Sequence, residues 1–208
     1  MSNHLEERRR MISEAFHTLN QPLTGLHCGL EIALQKPRTE GEYRTRIATG
    51  LEHAGVILQL VRAIRQLVEA DDPGERFGTV DLVAVLAQLR GELDVVSEAL
   101  QVPLTVNCEA SRKVMADPGK LVAALGTFAD ERMRMTKPGA QVEINVNLTG
   151  DRVMLTMGNT ASRVKTDDHQ FDRKLSEIRC DAARCYIWTI GGEVESSDGK
   201  LSITLPPA

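Results

Sequence analysis

"ISEAFHTLNQPLTGLHCGLEIA", residues Ile12 to Ala33, decides how the rest of the chain is read. Its apolar residues Ile12, Phe16, Leu19, Leu23, Leu26, Leu30 and Ala33 step 4, 3, 4, 3, 4, 3. That is the heptad seam of a long helix. Lys36-Pro37 closes it, because the residue before a proline avoids the helical region. "PRTEGE" then makes a short connector, and a second helix is expected from about Tyr43 to Ala70. Its stripe is Ile47, Leu51, Ala54, Leu58 and Val61, with Ile57, Leu60, Ile64 and Leu67 beside it. Two adjacent stripes make an apolar face too wide for one partner helix. Two long helices with a short connector form an antiparallel hairpin, and pairing two hairpins into a four-helix bundle would cover both stripes. A homodimer is therefore expected.

The linker "ADDPGERFG", Ala70 to Gly78, carries turn residues and charge, and it separates expected domains at 1–72 and 78–208. Beyond it the pattern changes to mixed helix and strand. Asp81 reads as the N-cap of a helix spaced at Leu82, Val85, Leu86, Leu89, Leu93 and Val96. "VPLTVNC" reads as a strand. Asp117 with Pro118 opens a second helix. "QVEINVNL" and "DRVMLTM" alternate about Thr149-Gly150-Asp151, the signature of a strand hairpin. A third helix is expected from about Asp168 to Ile190, and "GGEVESS" with "KLSITLP" forms a last hairpin around Asp198-Gly199. The fold class is thus α+β: a helical hairpin followed by a two-layer sandwich of sheet and helices.

Composition narrows the function. Hydrophobic residues make up 42% and charged residues 26% of 208, so a packed protein is expected rather than a disordered one. A net charge of −4 argues against nucleic acid as a partner. No run resembles the roughly 20 apolar residues of a membrane span, and "MSNHLEERRRMISEAF" lacks the apolar core of a signal peptide. No membrane partner and a cytoplasmic location are expected. Cys28, Cys108, Cys180 and Cys185 form no CxxC pair, so buried reduced thiols are expected and no metal centre. His27 and Glu31 read as an i, i+4 surface pair, and His4, His53 and His169 as solvated residues.

Three segments carry a resemblance. "FHTLNQPLTG" resembles the phosphoacceptor box of bacterial histidine kinases, with a histidine on the first helix of a dimeric hairpin and a proline five residues on. "ADPGKLVAALGTFADERMRMTKPG" is similar to the stretch holding the first nucleotide box of their ATPase-like domain, and "IGGEVESSDGKLSITLP" to that domain's closing segment. The resemblance covers nearly the whole chain in the family's order. It implies the hairpin-plus-ATPase fold and His17 as phosphoacceptor. It also implies departures. Glu131 stands where the family has the asparagine that holds Mg²⁺, followed by Arg132 where a small residue is usual. "MLTMGNTASR" offers Asn159, Ala161 and Arg163 in place of the adenine-binding aspartate and its glycines. From Thr160 to Ile190 there is no glycine, although the family's lid uses glycines to bring backbone amides to the phosphates. The nucleotide boxes thus read as degenerate, with no cofactor bound.

One residue on a helix turns about 100°, so His17 should lie well off the stripe that contains Phe16 and face solvent. Pro22 lacks the amide that would bond the Thr18 carbonyl, so a bend is expected one turn later. Thr18 replaces the acidic residue that usually follows the family's histidine. Glu14, three residues earlier, is a candidate to orient the ring. Gln21 stands one turn on, where some family members place a group that positions a hydrolytic water. Arg62 and Arg65 flank the stripe of the second helix and suit an acidic partner.

These features favour a histidine phosphotransferase of a His-Asp phosphorelay. His17 would exchange the phosphoryl group with a receiver-domain aspartate, and the receiver would supply Mg²⁺. A non-catalytic pseudokinase scaffold is the alternative, and an ATP-dependent histidine kinase the third reading.

Overall fold

The computed structural model describes residues 2–37, 39–108, 111–161, 170–197 and 199–208. The chain forms two compact units: Met1–Val68 with Phe171–Arg179, and Glu69–Gln170 with Cys180–Ala208.

In the first unit, α1 (Ser2–Leu34) and α2 (Glu40–Glu69) form an antiparallel hairpin. α2 begins three residues before the expected Tyr43, because Thr39 and Glu42 make a reciprocal capping box. The Thr39 amide donates to Glu42 Oε2 at 2.8 Å, and the Glu42 amide donates to Thr39 Oγ1 at 3.3 Å. At the other end of the hairpin the Arg8 guanidinium donates to the Val68 carbonyl at 2.7 Å. It thereby satisfies a carbonyl in the last turn of α2 and places positive charge at the negative end of the helix dipole. α1 runs unbroken through Pro22.

The seam inside the hairpin uses the second expected stripe of α2, Ile57, Leu60, Ile64 and Leu67, but on α1 it is displaced from the leucine stripe that the sequence advertises. On α1 it is Met11, Ala15 and Thr18, each at most 9% exposed, continued by half-buried Pro22, Gly25 and Gly29. On α2 it is half-buried Arg46, Gly50, His53 and Ile57, then buried Leu60, Ile64 and Leu67. Both sets keep heptad spacing. Small residues on α1 let the bulky residues of α2 approach. Toward the connector both sides become small or polar, which leaves a cavity of about 350 Å³ bordered by Gly25, Gly29, Gly50 and Arg46. His53 is therefore half-buried against Gly25 and not solvated. The α1 stripe and the first stripe of α2 form the uncovered face. Phe16, Leu23, Leu30, Ile47, Leu51, Leu58 and Val61 are 47% to 68% exposed. α2 has enough length and apolar character, at a mean hydropathy of 1.2 over an 18-residue stretch, to cross a membrane by those measures alone. Glu52, Gln59 and Arg62 interrupt that stretch, so it is not a continuous apolar run.

The second unit contains α3 (Leu82–Leu100), α4 (Pro118–Arg134), most of α5 (Gln170–Thr189) and two sheets. β1 (Gly78–Asp81) pairs antiparallel with β3 (Lys113–Ala116). The main sheet has the order β2 (Leu104–Asn107), β4 (Val142–Thr149), β5 (Arg152–Asn159), β7 (Lys200–Leu205), β6 (Glu193–Ser197). Among the described residues, β2–β4 is parallel and the other pairings of this sheet are antiparallel. The two-residue turn at Gly150-Asp151 closes β4–β5 with Thr149 opposite Arg152, and Gly150 sits at φ +65°. Val142, Ile144, Leu155, Met157, Ile203 and Leu205 are buried. So are Leu86 and Leu89 of α3, Leu121, Leu125 and Phe128 of α4, and Tyr186 and Ile187 of α5. This is the α+β layering that the strand and helix periods predict. The sequence reading missed β1 and β3, four residues each and without alternation.

Asp117 locks the linker onto α4. Its carboxylate accepts from the amides of Gly119 at 2.9 Å and Lys120 at 3.1 Å, which caps the helix, and from the Arg76 amide at 2.9 Å. Desolvation alone would raise its pKa. The bonds from Lys120, Arg76 and Gly119, with the Arg76 charge, outweigh it and hold the group below the usual carboxylate value. Gly74 makes this approach possible: at φ +105°, a Cβ there would lie 2.5 Å from Asp117 Cβ. The Asp117 amide donates to the buried Tyr186 hydroxyl at 3.1 Å, and burial pushes that phenol up to about 12.

Candidate functional site

α1 has three kinds of face. One meets α2, one is the exposed apolar stripe, and the third points away from both. Glu14, His17, Gln21, Thr24, Cys28 and Glu31 follow one another at heptad spacing on this outer face, and all are exposed. The sequence therefore folds into a rod that presents His17 as a side chain beyond either packing surface. No hydrogen bond or ion pair holds its ring among the described residues. The register set by Arg8 at Val68 and by Gly25 against His53 puts His17 level with the turn around Leu60, where the hairpin is most tightly packed. A rigid base and an unencumbered imidazole are what an incoming electrophile requires.

The neighbours divide. The Thr18 hydroxyl is turned into the seam and donates to the Glu14 carbonyl at 2.9 Å, so it is used within the helix. The Glu14 carboxylate stands 3.7 Å from Arg10 Nε, with both groups well exposed. The structure does not bring it to His17. Gln21 lies one turn beyond His17 on the same face, about 6 Å along the axis. Arg62 is exposed on α2.

The nucleotide-box positions gather at one end of the second unit. Glu131 and Arg132 lie in the last turn of α4. Asn159 ends β5, and the pairing of Met157 with Leu201 sets the β6–β7 turn beside it. Arg132 reaches that turn, where its guanidinium donates to the Gly199 carbonyl at 2.6 Å and to Ser196 Oγ at 3.4 Å. Burial lowers its pKa, against the opposing influence of Cys180 and Glu131. The segment after β5 is also fastened. Lys137 donates from its amide to the Ala161 carbonyl at 3.1 Å, and Thr160 from its amide to the Gln141 carbonyl at 3.1 Å. Arg163, His169 and the expected helix start at Asp168 lie outside the described residues.

Sequence reasoning missed the reach of Arg132, which depends on a contact 67 positions away. It also expected four buried thiols. Only Cys185 is buried, Cys108 and Cys180 are half-buried, and Cys28 is exposed on the outer face of α1.

No family model matches the chain. Among curated proteins it is similar to the sensor protein kinase PmrB of Pseudomonas aeruginosa, 26% identical over 173 residues that cover 80% of this chain and 35% of that protein. It is also similar to the sensor protein IrlS of Burkholderia pseudomallei, 23% identical over 176 residues, 83% of this chain and 37% of that one. The chain thus spans about a third of the length of the curated relatives it matches. Among solved structures, the Acinetobacter baumannii histidine kinase AdeS superposes with a TM-score of 0.62 at 18% identity, covering 92% of this chain and 98% of that one. Full-length ShkA in complex with AMPPNP gives 0.57 at 14% identity, covering 96% and 46%.

Proposed function

Taking the chain as histidine-kinase-like in sequence and fold, we propose that it is a dimeric histidine phosphotransferase of a His-Asp relay. His17 attacks the phosphorus of a receiver aspartyl-phosphate with a neutral imidazole nitrogen. The P–O bond to the aspartate breaks, an N–P bond forms, and the proton on the other ring nitrogen leaves. The receiver brings Mg²⁺ and its acidic pocket, and this chain brings a positioned nucleophile. Arg62 offers a cation to the acidic partner. Gln21, one turn beyond His17, orients a water for hydrolysis. A second copy covers the exposed stripes of α1 and α2, because seven large apolar side chains at heptad spacing need an apolar partner of matching length.

The observation that carries the choice of a partner's phosphate over ATP is Arg132. In the family its position holds a small residue beside the Mg²⁺ ligand. Here a half-buried guanidinium ties α4 to the β6–β7 turn. With Asn159 and Ala161 at the adenine-box positions, and the Ala161 carbonyl already bonded to Lys137, the residues present do not fit a Mg²⁺-nucleotide. No step is assigned to one.

An ATP-dependent kinase is the second reading, favoured by the names of the relatives. Parallel incubations separate the two. Label should reach His17 from a phosphorylated receiver and not from ATP with Mg²⁺. Labelling from ATP overturns the phosphotransferase reading. Binding of a receiver without transfer, unchanged in His17→Ala, replaces it with a scaffold.

A further inference from the structure

The outer face of α1 carries a second group of reactive side chains. His27 Nδ1 stands 3.6 Å from Glu31 Oε2. Cys28 Sγ joins them, with all three ligand atoms within 4.8 Å of one another and all three residues exposed. The sequence pattern predicts an i, i+4 surface pair at His27 and Glu31 and a buried Cys28. The structure instead puts a thiol, an imidazole nitrogen and a carboxylate on one patch, because i, i+3 and i, i+4 spacings converge on a helix surface.

We infer that His27, Cys28 and Glu31 form a binding site for a thiophilic divalent cation of the zinc class. Sulfur, nitrogen and oxygen donors are the set that Zn²⁺ takes from proteins, and three protein ligands leave one tetrahedral position to water. Two ligands about 2.0 to 2.1 Å from a tetrahedral ion stand about 3.3 Å apart. The His27–Glu31 spacing is within a few tenths of an ångström of that, and a rotation of the Cys28 side chain closes the rest. Mg²⁺ and Ca²⁺ prefer all-oxygen sets and are poorly served here.

The position gives the site a consequence that rests on the proposed phosphotransfer. Cys28 and Glu31 lie on the same stripe as His17, about 16 and 21 Å along the axis. A receiver with a radius of gyration near 13 Å is about 17 Å in radius, so one that has its aspartate at His17 and its body toward the connector end of α1 reaches Cys28. A bound ion therefore competes with docking.

The test uses the full chain and the metals alone. Titration with Zn²⁺ against a chromophoric chelator should show one ion per chain with a dissociation constant in the micromolar range. Co²⁺ should give a thiolate-to-metal charge-transfer band. Cys28→Ser should abolish the band and weaken Zn²⁺ at least tenfold, and Glu31→Gln should weaken it several-fold, both with unchanged circular dichroism. A band that survives in Cys28→Ser, or no saturable binding below millimolar, overturns the site. In the second arm, Zn²⁺ should slow transfer from a phosphorylated receiver to the wild type and not to Cys28→Ser. If zinc binds while transfer is unchanged, the site stands and the competition falls. If no transfer occurs in any condition, the phosphotransferase reading and the competition fall, and the metal titration still decides the site.

Discussion

Truncation of Leu51 to alanine should split the dimer and leave each unit folded. Leu51 is 68% exposed in the single chain, on the stripe that a second copy is proposed to cover. Fully burying a leucine stabilises by about 1.5 to 3 kcal/mol. Scaled to the exposed fraction, each copy of Leu51 contributes about 1 to 2 kcal/mol to association. The twofold operation presents the residue twice, so the dimer loses about 2 to 4 kcal/mol. At about 1.4 kcal/mol per factor of ten, the dissociation constant rises about 30-fold to about 1,000-fold. Sedimentation equilibrium on wild type and Leu51→Ala measures this directly. Leu148 is the internal control: it is 52% exposed on β4, outside the hairpin. Leu148→Ala should leave association unchanged, with unchanged circular dichroism for both variants. A monomeric wild type at tens of micromolar, or equal effects of the two truncations, would refute the assignment of the stripe.

Further outcomes test the second unit. Asp117→Ala removes a helix cap and a bond to the linker, and should cost about 1 to 2 kcal/mol in denaturant unfolding. Because the folded pKa of Asp117 lies below its unfolded value near 3.9, its contribution is complete above that pH and disappears as pH falls through the folded pKa. The stability gap between wild type and Asp117→Asn should accordingly narrow as the pH is lowered below about 4. Gln101 holds φ +55° at the end of α3, and Gln101→Gly should stabilise by about 1 kcal/mol through relief of the left-handed conformation. Arg132→Ala should cost about 1 to 3 kcal/mol by removing a charged hydrogen bond in a half-buried place. Calorimetry on that variant should still show no nucleotide binding, since Asn159 and Ala161 remain.

The legible parts of the fold had local causes. Asp81 and Asp117 were readable as caps because a carboxylate before a helical period has one economical use, and both accept the expected amides. The hairpin at Gly150 was readable from alternation around a glycine. The heptad of α1 showed where apolar residues lie, but not which surface they meet. Thr18, Pro22, Gly25 and Gly29 carry no hydrophobic signal, yet with Met11 and Ala15 they form the face against α2, where small residues let the helices approach closely. Thr39-x-x-Glu42 could have fixed the start of α2. His17 is exposed as expected, on the side of α1 away from Ala15 and Thr18, although the Phe16 stripe from which the 100° step starts is itself uncovered. The partners of Arg132 and the meeting of Cys28 with His27 and Glu31 needed side-chain positions.

The most decisive experiment mixes the purified chain, free of nucleotide, with a receiver carrying aspartyl-phosphate and Mg²⁺, beside a sample given ATP and Mg²⁺ alone. Acid-labile, base-stable phosphate should appear on wild type within the first mixture, map to His17, and be absent from His17→Gln and from the ATP sample. Phosphate that arrives from ATP, or that forms equally on His17→Gln, would contradict a relay built on this exposed imidazole.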